Sequence, residues 1–168
     1  MNTERPILFV DVDGVISTYG FDHQERVPGQ FHMVDGILHH IAPGMDKRLT
    51  RLAGYFELLW ATGWGERANE HLVGILDLPG ELEVVEFAVR PSADGSGHWK
   101  LAALTERLDN DSLDRRPAAW VDDGHNEACE AWAASRSAPT LLVTTEPAVG
   151  LTDAHVETLM EWAMKLAG

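Results

Sequence analysis

ILFVDVDGVIS, residues 7–17, runs an apolar stretch straight into two carboxylates one residue apart and then a glycine. The apolar part reads as a strand covered on both faces, as in a parallel sheet. Asp11 and Asp13 then fall at its carboxyl end, where open α/β sheets place their ligands. Two carboxylates so close repel each other and raise one pKa unless a cation sits between them. A divalent metal relieves that conflict.

On these residues alone several readings compete. A calcium-binding EF-hand loop shares D-x-D and a later glycine, but it needs an oxygen ligand at its fifth position and a helix in front. Here the fifth position is Val15, and a strand precedes. The D-x-D of nucleotide-sugar transferases follows a sizeable nucleotide-binding unit, whereas only ten residues precede Asp11. A turn that merely ends a strand stays open until the other strand ends are read.

Four further apolar segments follow: FELLWA (56–61), LEVVEFAV (82–89), AAWVD (118–122) and TLLVT (140–144). All read as strands, LEVVEFAV being the most mixed and so the least central. Helical spacing joins Met45, Leu49 and Leu52 before Gly54, and Ala68, Leu72 and Ile75 before LPG at 78–80. It recurs at Leu101, Leu104 and Leu108, at Ala128 and Trp132, and at Val156, Leu159, Met160 and Ala163 after a cap at Thr152 or Asp153. Strand–helix alternation of this kind implies right-handed crossovers and a three-layer α/β sandwich on a five-stranded parallel sheet. Residues 15–43 interrupt it. Within them QFHMVDGILHHI carries Asp35-Gly36 between apolar-rich flanks, a hairpin signal.

The other strand ends also carry chemistry. LLWATG delivers Thr62 and Gly63, a hydroxyl and an unhindered backbone N–H that suit a phosphoryl oxygen. Lys100, in GHWK, opens the third helix, where one cation can neutralise both a phosphate and a carboxylate. AAWVDDG places Asp122 and Asp123 within reach of Asp11 if the first and fourth strands are neighbours.

In this order DVDGV, Thr62 of WATGW, Lys100 and VDD resemble the four motifs of the haloacid dehalogenase-like (HAD) phosphohydrolase superfamily, over nearly the whole chain. The resemblance implies a Rossmann-like fold with the first strand between the second and the fourth. It implies Asp11 as nucleophile and Asp13 as general acid and base, with Thr62, Gly63 and Lys100 on the phosphoryl group. Mg2+ is then held by Asp11, the backbone carbonyl of Asp13, and Asp122 or Asp123. Superfamily dehalogenases lack the second aspartate, because a halide leaving group needs no proton, so a phosphomonoester is the expected substrate. The stretch from WATGWGERAN to LPG also resembles small HAD domains linked to RNA-end repair proteins. The insertion is too short for a helical cap domain and reads as a flap hairpin, leaving room for a small phosphomonoester or the terminal phosphate of a nucleic acid. The competing class is a non-catalytic HAD fold that binds phosphate or protein, which would need neither Asp11 as nucleophile nor Asp13 as acid.

Composition narrows the choice. The 168 residues suit one domain over 1–168. With 27 acidic against 13 basic residues the net charge is −14, and no basic track is present, which argues against grip on a long duplex. It also requires that an anionic substrate meet local cations or a metal. No membrane-length apolar run or leader pattern is visible, so a cytoplasmic setting is expected. Cys129, the sole cysteine, reads as a small core residue. His39 and His40 are adjacent on a strand and point to opposite faces. His98 reads as a loop histidine, Trp64 as packing or a ring for stacking, and Asp94 as part of a glycine-rich loop.

Overall fold

The computed structural model describes residues 5–22, 24–87, 97–110 and 116–168. Strand β1 (Ile7–Val10) is wholly buried, as its unbroken apolar run requires. The chain then forms β2 (Ser17–Thr18), β3 (Gln30–Val34) and β4 (Ile37–Ile41), followed by helix α1 (Met45–Ala53). Next come β5 (Glu57–Trp60), α2 (Arg67–Ile75) and β6 (Glu83–Val84), then α3 (Leu101–Asn110), β7 (Ala118–Asp122), α4 (Glu127–Ser135), β8 (Thr140–Thr144) and α5 (Asp153–Ala167).

Five parallel strands form one sheet in the order β6-β5-β1-β7-β8, so β1 lies between β5 and β7 as the family resemblance implied. Its two faces follow the period of two. Leu8 and Val10, with Leu58, Trp60, Ala119 and Val121, pack beneath α1, α2 and α5 through Leu49, Leu72 and Val156. Ile7 and Phe9, with Leu59 and Trp120, pack on the other side against Leu104 and Leu108 of α3 and Cys129 of α4. The result is the expected three-layer sandwich. No helix among the described residues is long and apolar enough to cross a membrane.

Two elements differ from the expectation. The segment 82–89 keeps only Glu83–Val84 as strand, with Val85 N–H still reaching the Trp60 carbonyl; residues 88 and 89 lie outside the described residues. This is the sheet's edge, paired on one side only, where the ladder has least to hold it. Its attachment is a buried side chain instead. Asn69 of α2 accepts from Trp60 Nε1 at 2.9 Å and from Leu82 N–H at 3.0 Å, and donates to the Leu82 carbonyl at 2.8 Å.

The insertion forms the expected hairpin, β3 with β4, and adds β2 as a third antiparallel strand in the order β2-β4-β3. Asp35 and Gly36 have φ of 49° and 79°, the double positive-φ geometry that a two-residue turn needs to match strand twist. Arg67 pairs with Asp35 and so ties the hairpin tip to α2. At the last helix Thr152 is the cap: its hydroxyl accepts from His155 N–H, and His155 Nδ1 accepts from Thr152 N–H. Asp153 is left free to pair with Arg48 of α1 at 3.0 Å.

Candidate active site

Sheet register builds the site. Val10 stands level with Trp60 on one side and Val121 on the other, so the chain leaves all three central strands at the same edge. Asp11 N–H bonds the Val121 carbonyl at 3.1 Å, and Ala61 N–H bonds the Val10 carbonyl at 2.8 Å. Asp11, Thr62 and Asp122 therefore issue from neighbouring strand ends into one crevice.

Lys100 lies at the centre of it. Although almost fully buried, its ammonium is 2.9 Å from Asp11 Oδ2 and 2.6 Å from Asp122 Oδ2. The remaining oxygens take backbone donors: Val12 N–H to Asp11 Oδ1 at 2.7 Å, and Gly124 N–H to Asp122 Oδ1 at 2.9 Å. Burial pushes the Asp11 carboxyl up to about 7; Lys100 opposes this, and the charge of Asp122 adds to it. Burial acts upward on Asp122 as well, but there the ammonium and the Gly124 N–H outweigh it and hold the carboxyl below its ordinary range. Near neutral pH one lysine thus serves one firmly ionised carboxylate and one that gains or loses its proton readily.

Asp123 completes an acidic group. One oxygen each from Asp11, Asp122 and Asp123 lies within 4.8 Å of the others, the arrangement among the described residues that could hold a metal ion. All donors are oxygens, the set that a hard divalent cation takes, and each carboxylate oxygen keeps a lone pair beyond its present hydrogen bond. The residues therefore fit a magnesium-type ion. Gly14 permits the closeness: at its φ of 77°, a Cβ would stand 2.2 Å from Asp123 Oδ2. The Gly14 carbonyl is fixed by the buried Thr145 hydroxyl at 2.7 Å.

Asp13 is placed apart. Its side chain is exposed and lies outside that group; the indole N–H of Trp64 donates to its Oδ2 at 3.0 Å. Trp64 is held in turn by the His39 ring, edge-on at 4.7 Å, and by the Arg67 guanidinium 5.8 Å from its ring centroid. The two adjacent histidines do face opposite ways, His39 bonding Ser17 Oγ and His40 bonding Thr18 Oγ1.

Thr62 is buried, with its hydroxyl accepting from Trp64 N–H at 3.2 Å, and Gly63 beside it is exposed. Trp99 closes that side: a Cβ on Gly63 would meet its ring at 3.8 Å. His98 is no free loop residue; its Nδ1 accepts from Lys100 N–H at 3.2 Å, and burial lowers its pKa. Asp94 lies outside the described residues.

Tyr19, Trp99 and the role of Trp64 escaped the sequence reading. Tyr19 hydroxyl donates to Asp123 Oδ2 at 2.8 Å, and that bond, before burial, pushes its pKa up to about 12. The partners are 104 positions apart, so no local pattern could announce them.

No curated protein sequence matches the chain. Residues 7–156 do match the family described as the HAD domain in Swiss Army Knife RNA repair proteins. That span takes in the sheet, the flap and every residue of the crevice, and the family supports phosphohydrolase-type chemistry on a phosphorylated substrate. The chain belongs to the haloacid dehalogenase-like superfamily, in the branch formed by the HAD domains of Swiss Army Knife RNA repair proteins.

Proposed function

We propose that the protein is a Mg2+-dependent phosphomonoesterase that works through an aspartyl phosphate on Asp11. The observation that carries this is the division of the two aspartates: Asp11 is buried against Lys100 and the acidic group, while Asp13 is exposed on an indole donor. A nucleophile needs the first setting, and a proton carrier that must reach a leaving group needs the second.

The phosphoryl group of the substrate enters the crevice with its oxygens toward the Thr62 hydroxyl, the Gly63 N–H and the Lys100 ammonium. An Asp11 oxygen attacks phosphorus in line, and the bond to the ester oxygen breaks. Asp13, protonated, gives its proton to that departing oxygen, and the alcohol leaves. Asp13, now a carboxylate, takes a proton from a water that attacks phosphorus from the vacated side. The Asp11–phosphorus bond breaks, releasing inorganic phosphate and restoring both aspartates. Asp11, Asp122, Asp123 and the Asp13 carbonyl would hold Mg2+, which when bound would supply charge neutralisation for the phosphoryl oxygens.

The site suits a small phosphomonoester or the terminal phosphate of a nucleotide or nucleic acid, because the net charge of −14 opposes a long polyanion but not one end of it. A panel of phosphomonoesters assayed with Mg2+ and with EDTA tests the reading. Turnover restricted to the Mg2+ arm is expected; turnover of equal rate in chelator contradicts it, and binding without turnover would point to a phosphate-binding module.

A further inference from the structure

Beside the crevice lies a cleft of about 680 Å3 between the flap and the segment that follows β2. We propose that it is a nucleobase subsite, which makes the substrate a nucleotide, or the last nucleotide of a strand, whose terminal phosphate lies at Asp11. The proposal rests on the phosphatase reading and narrows its substrate class.

The floor is an aromatic cluster: Phe21, Phe31 and His40 meet edge-on or tilted, with centroids 6.4, 5.2 and 5.0 Å apart. Such packing leaves a ring face for a flat heterocycle, and Phe31 is 51% exposed on the open side. The floor is also fixed, since both nitrogens of the buried His40 are engaged, by Thr18 Oγ1 and by the Pro28 carbonyl. The volume falls in the range of pockets that enclose a small organic ligand.

Position and charge supply the rest. Tyr19 is a wall of the cleft, and its hydroxyl bonds Asp123 of the acidic group, so cleft and crevice share one side chain. Arg26 stands on the rim, and no carboxylate among the described residues pairs with it, whereas Arg48, Arg67, Arg107 and Arg116 are all paired. An uncompensated cation in a chain of net charge −14 offers a place for a second phosphate beyond the base. Glu25 also lines the cleft and, on this proposal, is an acceptor for the exocyclic amine of a base. A lipid or protein partner would use the apolar floor but not the shared wall with Asp123. The match to RNA repair proteins agrees with a nucleotide end.

The test compares adenosine 5′- and 3′-monophosphates with ribose 5-phosphate, which lacks the base, using the full chain with Mg2+. Phe31→Ala should raise KM for a nucleoside monophosphate about tenfold, the scale of one lost base stack, and leave ribose 5-phosphate unchanged; Phe31→Trp should restore it. Arg26→Ala should raise KM for a 5′-phosphorylated dinucleotide and not for the monophosphates. Equal effects on ribose 5-phosphate, or none on any substrate, overturn the subsite. Binding gives a readout independent of catalysis: on Asp11→Asn, adenosine 5′-monophosphate should shift the Phe21 and Phe31 ring proton resonances. Those shifts without turnover in the parent would retain the subsite and sink the phosphatase reading. Turnover in the parent with shifts at Trp99 or Phe87 instead would do the reverse.

Discussion

The indole N–H of Trp64 meets the Asp13 carboxylate at 3.0 Å, outside the acidic group that Asp11 shares with Asp122 and Asp123. Two aspartates a single residue apart thereby acquire different surroundings. Trp64 follows the Thr62-Gly63 turn and is braced by His39 of the flap, so the orientation of Asp13 depends on three elements that meet only in the folded chain.

Trp64→Phe keeps the ring and removes the donor. The expected outcome is a kcat on alkyl phosphates lowered about tenfold, a fraction of what general acid catalysis typically contributes. KM should be near the parent value, and the loss smaller on aryl phosphates, whose leaving groups need little protonation. Steady-state kinetics across leaving groups of graded pKa checks this; a loss that is uniform across the series would show that the indole supports the fold rather than the acid.

Metal affinity should depend on pH through Asp11. Its carboxyl titrates near 7, raised by burial, and a metal requires the ionised form. Binding therefore competes with a proton below that pH, and affinity should fall by about tenfold per unit there and level off above it. In the metal-free protein the same group binds a proton more tightly folded than unfolded, so its contribution to stability falls as pH rises from about 4 to about 7. His125, lowered to about 4 by burial, acts oppositely over part of that window, which makes the Mg2+-induced rise in Tm the cleaner measurement. That rise should grow from pH 5 to pH 8 and be lost in Asp11→Asn.

Lys100→Met leaves Asp11 and Asp122 facing each other without their shared ammonium. Removing one partner of a buried ion pair costs about 3–5 kcal/mol. Because Lys100 lowers the pKa of Asp11, its loss lets Asp11 keep a proton to higher pH. The variant's deficit should thus already be present near pH 6, where Asp122 stands ionised without its ammonium, and widen above pH 7, and Mg2+ should recover part of it. Thermal melts across pH decide the matter; a deficit independent of pH would mean that Lys100 contributes by packing alone.

Legibility followed chemistry that is local in the chain. Asp11, Asp13 and Gly14 could be read because a buried strand ends where they stand, and Thr62 and Asp122 because their strands end likewise. Parallel register then brings those ends level, Val10 with Trp60 and Val121. The contacts that distinguish the two aspartates are long-range, Trp64 reaching back 51 positions to Asp13 and Asp123 reaching 104 to Tyr19. They depend on how the flap and the β5–α2 turn fold over the crevice, which no hydrophobic period records. The shortness of β6 was hidden for a related reason: Val84 and Val85 favour a strand, but an edge position and the Asn69 bridge decide where pairing stops.

Asp122 and Asp123 should separate by stability. Asp122 is buried on Lys100, whereas Asp123 is partly open and bonded to Tyr19. Both Asp122→Asn and Asp123→Asn should weaken Mg2+ binding, but only the first should also lower the Tm of the metal-free protein markedly. Calorimetric Mg2+ titration with parallel melts checks this, and unchanged Mg2+ binding in both variants would remove the metal from this strand end.

The most direct measurement concerns the covalent step. Asp13→Asn, mixed with an aryl phosphate and Mg2+, should release about one equivalent of aryl alcohol in a burst and then turn over slowly, because Asp11 can still attack while no base activates water. Intact mass spectrometry should find a phosphate adduct on this variant, mapped to Asp11, and none on Asp11→Asn. An adduct on Asp11→Asn, or parent-rate turnover by both variants, would contradict the account.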